Sequence, residues 1–207
     1  GASLTITLSS ELCSAITEFS RREGVTLFMT LLAGFYALLF RYTGRPDLIV
    51  GSPIANRTRS EIEGLVGFFV NTLALRADLS GTQTVHELLA LVRQVCLGAY
   101  TYQDVPFEKL VEVLQPVRDV SYSPIFQVMF ELQHAPVSEL AVPGLHITTV
   151  EVEPLTAKFD LTLTLCETEG GLTASMEYNT DLFFADSMSR MLHHYELILR
   201  DMTARPG

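Results

Sequence analysis

His193 and His194 are the most conspicuous pair of chemistry-bearing side chains in the sequence. Neighbours on a helix point about 100° apart and cannot share a metal. The pair therefore reads as positions outside and beside the apolar stripe of one helix. His86 and His146 stand alone. Asp104 and Glu108 have a spacing that suits paired acid/base carboxylates. Pro106 between them instead marks a helix start, where both favour the positive end of the helix dipole. Asn71 alternates with leucines, and a buried amide left unpaired costs about 1 to 3 kcal/mol. It either ties its strand to a neighbouring loop or presents its amide to a ligand cavity, and the tie is the stronger reading. Cys13, Cys96 and Cys166 are odd in number, far apart and set in apolar runs. They read as small buried core residues in a reducing, cytoplasmic compartment. No H-E-x-x-H, G-x-S-x-G, phosphate-loop or dinucleotide pattern is present, so neither a metal nor a directly bound cofactor is expected.

The elements that must position these residues follow from periodicity and punctuation. Leu4, Ile6 and Leu8 alternate with threonines as in a strand, and Ser9 can cap a helix carrying Leu12, Ile16 and Phe19 that Gly24 ends. Thr26 can cap the next helix and Gly44 stops it. Its residues Val25–Phe40 contain no charge. Sixteen residues reach only about 24 Å, short of the roughly 30 Å hydrocarbon core, so this is a buried core helix and no membrane partner is expected. Asp47–Gly51 reads as a buried strand, Pro53–Gly67 as loop, and Phe68–Arg76 as an alternating strand with Phe69, Asn71, Leu73 and Leu75 on one face. Thr84 to Glu87 forms a capping box for a helix to about Tyr100, and Pro106 opens a short helix, Phe107–Leu114, closed by Pro116.

The rest reads as strands over Ile125–Leu132, Leu145–Val152, Phe159–Glu167 and Leu172–Tyr178, the last two joined at Glu169-Gly170-Gly171. A final helix, with Asp186 as its cap, carries an apolar stripe of Met188, Met191, Leu192, Tyr195, Ile198, Leu199 and Met202. Strands interspersed with helices predict an α/β fold, a mixed-sheet two-layer sandwich in one unit over residues 1–207.

The 207 residues are 48% hydrophobic and 18% charged, with a mean hydropathy of +0.28. This excludes disorder and a disulfide-stapled miniprotein and leaves an apolar excess to explain. Twenty-four acidic residues against 14 basic give a net charge of −10. With no basic cluster, nucleic-acid binding is not expected. No positively charged segment followed by a hydrophobic one opens the sequence.

Four ordered stretches resemble the C-terminal half of the condensation domain of non-ribosomal peptide synthetases. Val50-Gly51-Ser52-Pro53-Ile54-Ala55-Asn56-Arg57 is similar to its V-G-x-P-x-A-x-R segment. Val66-Gly67-Phe68-Phe69-Val70-Asn71-Thr72-Leu73 resembles (I/V)-G-x-F-V-N-T, and Gln103-Asp104-Val105-Pro106-Phe107-Glu108 resembles Q-D-x-P-F-E. Arg118-Asp119-Val120-Ser121-Tyr122-Ser123-Pro124-Ile125-Phe126-Gln127 resembles R-D-x-S-x-x-P-(L/I)-F-Q. Tyr102 and Ser123 depart from the family, which commonly has His or Asn, and Asn, at those places.

The resemblance implies one chloramphenicol-acetyltransferase-like lobe of a two-lobed amide-forming acyltransferase. Substrates arrive on 4'-phosphopantetheine arms of peptidyl carrier proteins, with an adenylation domain adjacent. The catalytic His-His-x-x-x-Asp-Gly motif belongs to the N-terminal lobe. His193-His194 cannot replace it, because Ile198 and Leu199 occupy the Asp and Gly positions. No catalytic residue is therefore expected in this chain. Asn71 and Arg57 are the candidates for the substrate tunnel, and Phe159 to Leu182 for the piece reaching toward the other lobe. Some of the apolar excess is then an exposed interlobe face, open to self-association. The alternatives are a lobe of an epimerization, heterocyclization or related acyltransferase domain, or a non-catalytic module docking carrier proteins through Arg57, Arg59 or Arg93.

Overall fold

The computed structural model describes residues 1–57, 60–82, 84–117, 122–134, 145, 156–168 and 171–206, with the side chain of residue 134 left aside. In chain order the elements are β1 (Ala2–Thr7), α1 (Ser10–Glu23), α2 (Leu27–Thr43), β2 (Asp47–Ile54), α3 (Ser60–Glu63) and β3 (Asn71–Asp78). They continue with α4 (Val85–Thr101), α5 (Phe107–Leu114), β4 (Val128–His134), β5 (Leu161–Thr168), β6 (Gly171–Tyr178) and α6 (Ala185–Ala204). The strands form one sheet in the order β1-β6-β5-β4-β2-β3. It is mixed: β4 runs parallel to β2 and β5, and the other pairings are antiparallel. The expected α/β two-layer sandwich is the observed one.

The helices start and stop where local chemistry directs. Ser9 Oγ accepts from Leu12 N at 3.3 Å, and Thr26 Oγ1 accepts from Met29 N at 3.2 Å. Gly24 and Gly44 take left-handed conformations at the two C-termini. Thr84 and Glu87 form the reciprocal capping box of α4, which satisfies two otherwise orphaned donors. α1, α2, α4 and α6 pack on one sheet face in a single core. α2 lies at its centre, with Leu31, Leu32, Phe35, Tyr36 and Leu38 fully buried. Buried phenols are anchored: Tyr36 Oη donates to Leu75 O at 2.8 Å and Tyr195 Oη to Leu31 O at 3.0 Å. Among the described residues no single helix is long and apolar enough to cross a membrane.

The opposite sheet face is polar and has no helix layer among the described residues. Alternation places Ser3, Thr5, Thr162, Thr164, Ser175 and Glu177 there, against buried Leu163, Leu165, Ala174 and Met176 on the core face. Ser3 and Ser175 hydroxyls lie 2.9 Å apart across β1 and β6.

Several expectations change. β2 runs to Ile54 instead of stopping at Gly51. β3 starts at Asn71, not Phe68, because the ring of Phe69 is taken by the Arg57 guanidinium, 4.4 Å from its centroid. β4 starts at Val128 rather than Ile125. Ile125 sits at φ 73° and Phe126 N bonds back to Pro124 O, a turn that excludes strand geometry there. Asp186 lies inside the first turn of α6; the cap position is Phe184, without a side-chain bond. Only Cys96 is buried, while Cys13 and Cys166 are half-buried. Cys13 stands at the sheet margin, where its Sγ accepts from Leu172 N at 3.3 Å. The strand expected over Leu145–Val152 lies outside the described residues apart from Leu145, as does His146.

Candidate functional site

On the polar side of the sheet, where β2 ends and β3 begins, a cavity of about 830 Å³ opens. Its construction starts at Gly51, which faces Met129 across the β2–β4 pairing. A Cβ at Gly51 would overlap the Phe126 ring and the Met129 sulfur. Glycine there lets Phe126 bury itself on the sheet. Phe126 in turn packs on Phe107 at a centroid distance of 5.3 Å and on Phe159 at 5.7 Å. These rings make a second apolar cluster, on the face away from the main core.

Asn71 positions the next wall. Its Nδ2 donates to Gln103 O at 2.7 Å and to Val105 O at 2.8 Å, and its Oδ1 accepts from Phe107 N at 3.2 Å and Thr72 N at 2.9 Å. The carboxamide thus holds the Gln103–Phe107 turn at the start of α5. That turn presents Asp104, Pro106, Phe107 and Glu108 to the cavity. The structure shows the tie: all four hydrogen-bonding positions of the carboxamide are taken within the chain, so the amide holds the loop while Asn71 stands among the residues lining the cavity.

Arg57 acts from behind the cavity wall. Its guanidinium does not line the cavity. Nη1 donates to Ile62 O and to Glu63 O (3.0 Å), and Nη2 donates to Leu65 O at 2.9 Å. It collects the carbonyls at the end of α3, and so shapes the site through the loop that carries Phe69. Gly67 belongs to the same packing, since a Cβ there would stand 2.9 Å from the Phe69 ring. Pro53 and Pro124 line the cavity, and Gln103 serves through its backbone carbonyl. Arg118, Asp119 and Ser121, together with Arg59, lie outside the described residues. The segment from Phe159 to Leu182 carries β5 and β6 of the sheet, and β6 is flanked by strands on both sides.

The structure adds residues that the sequence did not single out. Asn56, Glu131, Lys158, Phe159, Thr162 and Glu177 also line the cavity. Glu131 and Glu177 come from strands two places apart, opposite Thr164 and Thr162 of β5. Their only signal in the sequence is acidic residues at solvent-face positions of alternating strands. Asn56 lies within the motif around Arg57 and has a positive φ of 52°. The histidine pair is engaged locally: His194 Nδ1 lies 2.9 Å from the Tyr42 hydroxyl, and His193 lies 3.9 Å from Glu196. Among the described residues no group of three or more side chains suits a metal ion.

A mixed six-stranded sheet with a main helix layer on one face and a cavity on the other defines an α/β fold. The condensation domain family matches residues 1–207, and the chain belongs to that family. It is 50% identical over 206 residues to a linear gramicidin synthase of Brevibacillus parabrevis, covering 99% of this chain and 4% of the synthase. The structure is similar to that of a four-domain nonribosomal peptide synthetase bound to AMP and glycine. The TM-score is 0.86 and the identity 28%, over 100% of this chain and 17% of that one. It is also similar to the X-domain in a complex with OxyB from teicoplanin biosynthesis, with a TM-score of 0.87 and 25% identity, over 99% of this chain and 46% of that one. The chain thus spans a small fraction of the curated relative and under half of the X-domain chain.

Proposed function

We propose that residues 1–207 form the C-terminal lobe of a condensation domain. The domain joins a carrier-bound acyl or peptidyl thioester donor to a carrier-bound aminoacyl acceptor by an amide bond. The observation that carries this reading is the cavity on the open sheet face, built by the Gly51–Arg57, Gly67–Leu73 and Gln103–Glu108 segments together with Pro124 and Phe126. An N-terminal lobe supplies the catalytic histidine motif and covers this side. The acceptor amine attacks the thioester carbonyl, the C–S bond breaks, and the thiol of the donor arm leaves. The C-terminal lobe contributes a wall that positions the reactants. Both reach it on phosphopantetheine arms of peptidyl carrier proteins, with an adenylation domain next in line.

The apolar excess fits this arrangement. Phe68, 93% exposed, and Val70, half exposed, line the cavity, and Val66 two residues before Phe68 is fully exposed. Such a cluster is suited to burial against the second lobe, and in the isolated chain it favours self-association.

The test is complementation. The 207-residue chain alone produces no amide from an aminoacyl-carrier donor and an acceptor amine above the uncatalysed rate, whereas the chain preceded by its N-terminal lobe does. Amide formation by the isolated chain would refute the reading. A non-catalytic docking role is the second reading, supported by the likeness to an X-domain solved with OxyB. It expects no condensation even when both lobes are joined.

A further inference from the structure

We infer that the chain carries a second ligand site, on the helix side of the sheet, and that it takes a small uncharged alcohol with an apolar body. The site is a pocket of about 260 Å³ between the first turn of α2, the last turn of α4 and the ends of β2, β3 and β4. Among the described residues Pro53 is the only one it shares with the larger cavity on the opposite face of the sheet.

Ser52 is the anomaly that marks the pocket. In β2 it faces the same way as buried Val50, stands opposite Leu73 in the β2–β3 register, and is 2% exposed. A hydroxyl among apolar side chains is unfavourable there unless it is hydrogen-bonded. Of the buried polar side chains among the described residues, Ser20 and Thr30 bond to each other at 2.7 Å, whereas Ser52 has no hydrogen bond. Its oxygen is not sealed in. Among the described residues Asn56 Oδ1 is the only buried side-chain atom that is both shut off from solvent and unpartnered. The Ser52 hydroxyl therefore keeps its access, and Ser52 lines the pocket.

Tyr100 brings a second hydroxyl from the end of α4. It lines the same pocket, is half-buried, and has no hydrogen bond among the described residues. Burial raises its phenol to about 12, so it remains a donor at neutral pH. Phe28, Ile54, Leu73 and Leu132 supply apolar walls, and no charged side chain is among the described residues lining the pocket. An ionised ligand would lie unpaired there, which excludes one. A ligand hydroxyl both donates and accepts, as do the two hydroxyls that await it. The volume lies below the roughly 300 Å³ at which pockets for larger ligands begin, so the occupant is small.

The experiment is a titration of the isotope-labelled 207-residue chain with benzyl alcohol, toluene and benzoate, followed by backbone amide shifts. Benzyl alcohol is expected to bind with a Kd of about 1 to 10 mM, the range open to so small a ligand. It should move the amides of Phe28, Ser52, Leu73 and Tyr100 more than those of the exposed Val66, Phe68 and Val70. Toluene, which lacks the hydroxyl, should bind about threefold or more weakly. Benzoate, which would have to bury its charge, should leave these amides unmoved. The preference over toluene should vanish in Ser52→Ala/Tyr100→Phe, where neither change enlarges a side chain. The absence of saturable shifts at these amides overturns the site, and shifts confined to residues 66–70 do the same. Toluene or benzoate binding as tightly as benzyl alcohol overturns the ligand class. A preference kept in full by the folded double variant overturns the role of the two hydroxyls. Should that variant not fold, Ser52→Ala alone gives the reading, with the preference expected to fall to about half.

Discussion

The carboxamide of Asn71 accepts from the backbone N–H of Phe107 at 3.2 Å while donating to the carbonyls of Gln103 and Val105. One side chain at the first residue of an edge strand thereby holds both sides of a turn 32 to 36 residues away. Two segments that read as separate motifs are one structural unit. The conformation of the second depends on the side chain of the first.

Asn71→Ala should therefore destabilise the chain by about 1 to 3 kcal/mol, since two carbonyls and two N–H groups lose this partner together. Asn71→Asp should be no better, because a carboxylate keeps the acceptor but sets negative charge against two carbonyl oxygens. Urea unfolding followed by circular dichroism measures the first effect. Backbone amide shifts confined to residues 103–108 identify its origin.

Gly51→Ala should cost about 1 to 3 kcal/mol by overpacking, because the new methyl meets the Phe126 ring, which is held between Phe107 and Phe159, as well as the more adaptable Met129 sulfur. The displaced ring would loosen its contact with Phe107. A thermal melt shows the loss, and ring-current shifts of Phe107 and Phe126 show the displacement.

Arg57→Lys keeps the charge and removes the planar fork that reaches three carbonyls. Hydrogen exchange at the Leu65 amide, which bonds to Ile62 O, should accelerate by about tenfold, equivalent to the loss of one charged hydrogen bond. Exchange in the α2 core should not change.

Alkaline pH should unfold the chain through its buried hydroxyls and thiol. Burial pushes the Tyr36 and Tyr195 phenols well up, and it raises the Tyr100 phenol and the Cys96 thiol to about 12. Folded values above unfolded ones mean that this stability is complete below about pH 8.5 to 10 and is lost as pH rises further, because the unfolded chain releases protons that the folded one retains. The urea midpoint should fall steadily from about pH 9 upward, with tyrosinate absorbance appearing cooperatively at unfolding. A midpoint that stays flat to about pH 12 would contradict the burial of these groups.

Charge pairing at the sheet edge acts at the other end of the scale. Arg76 donates to both carboxylate oxygens of Asp47, at 2.9 and 2.8 Å, and holds that carboxyl below its usual range. A lowered folded value gives stability that is present above the unfolded value of about 3.9 and is lost as pH falls through the folded one. Both side chains are exposed, so Asp47→Asn should flatten only the acid limb of the stability curve, read by urea unfolding between about pH 5 and pH 2.

What the sequence by itself determined is the local part. Caps at Ser9, Thr26 and Thr84 and glycines at 24 and 44 act within a few residues. The Phe107–Leu114 helix and the stripe on α6 likewise declare themselves through neighbours in the chain. Ordered motifs then carried the family. Tertiary structure alone decided which groups meet. Glu131 and Glu177 reach one cavity with Asp104 and Glu108 only through strand order, which no periodicity encodes. Arg57 shows the same division. Its motif marked it as important, but its carbonyl partners at Ile62, Glu63 and Leu65 depend on how the loop folds back. The alternation that began a strand at Phe68 was overridden when that same guanidinium took the Phe69 ring. Local rules are satisfied within a turn of helix, whereas a site assembled from residues 53 to 177 exists only after the sheet has chosen its order.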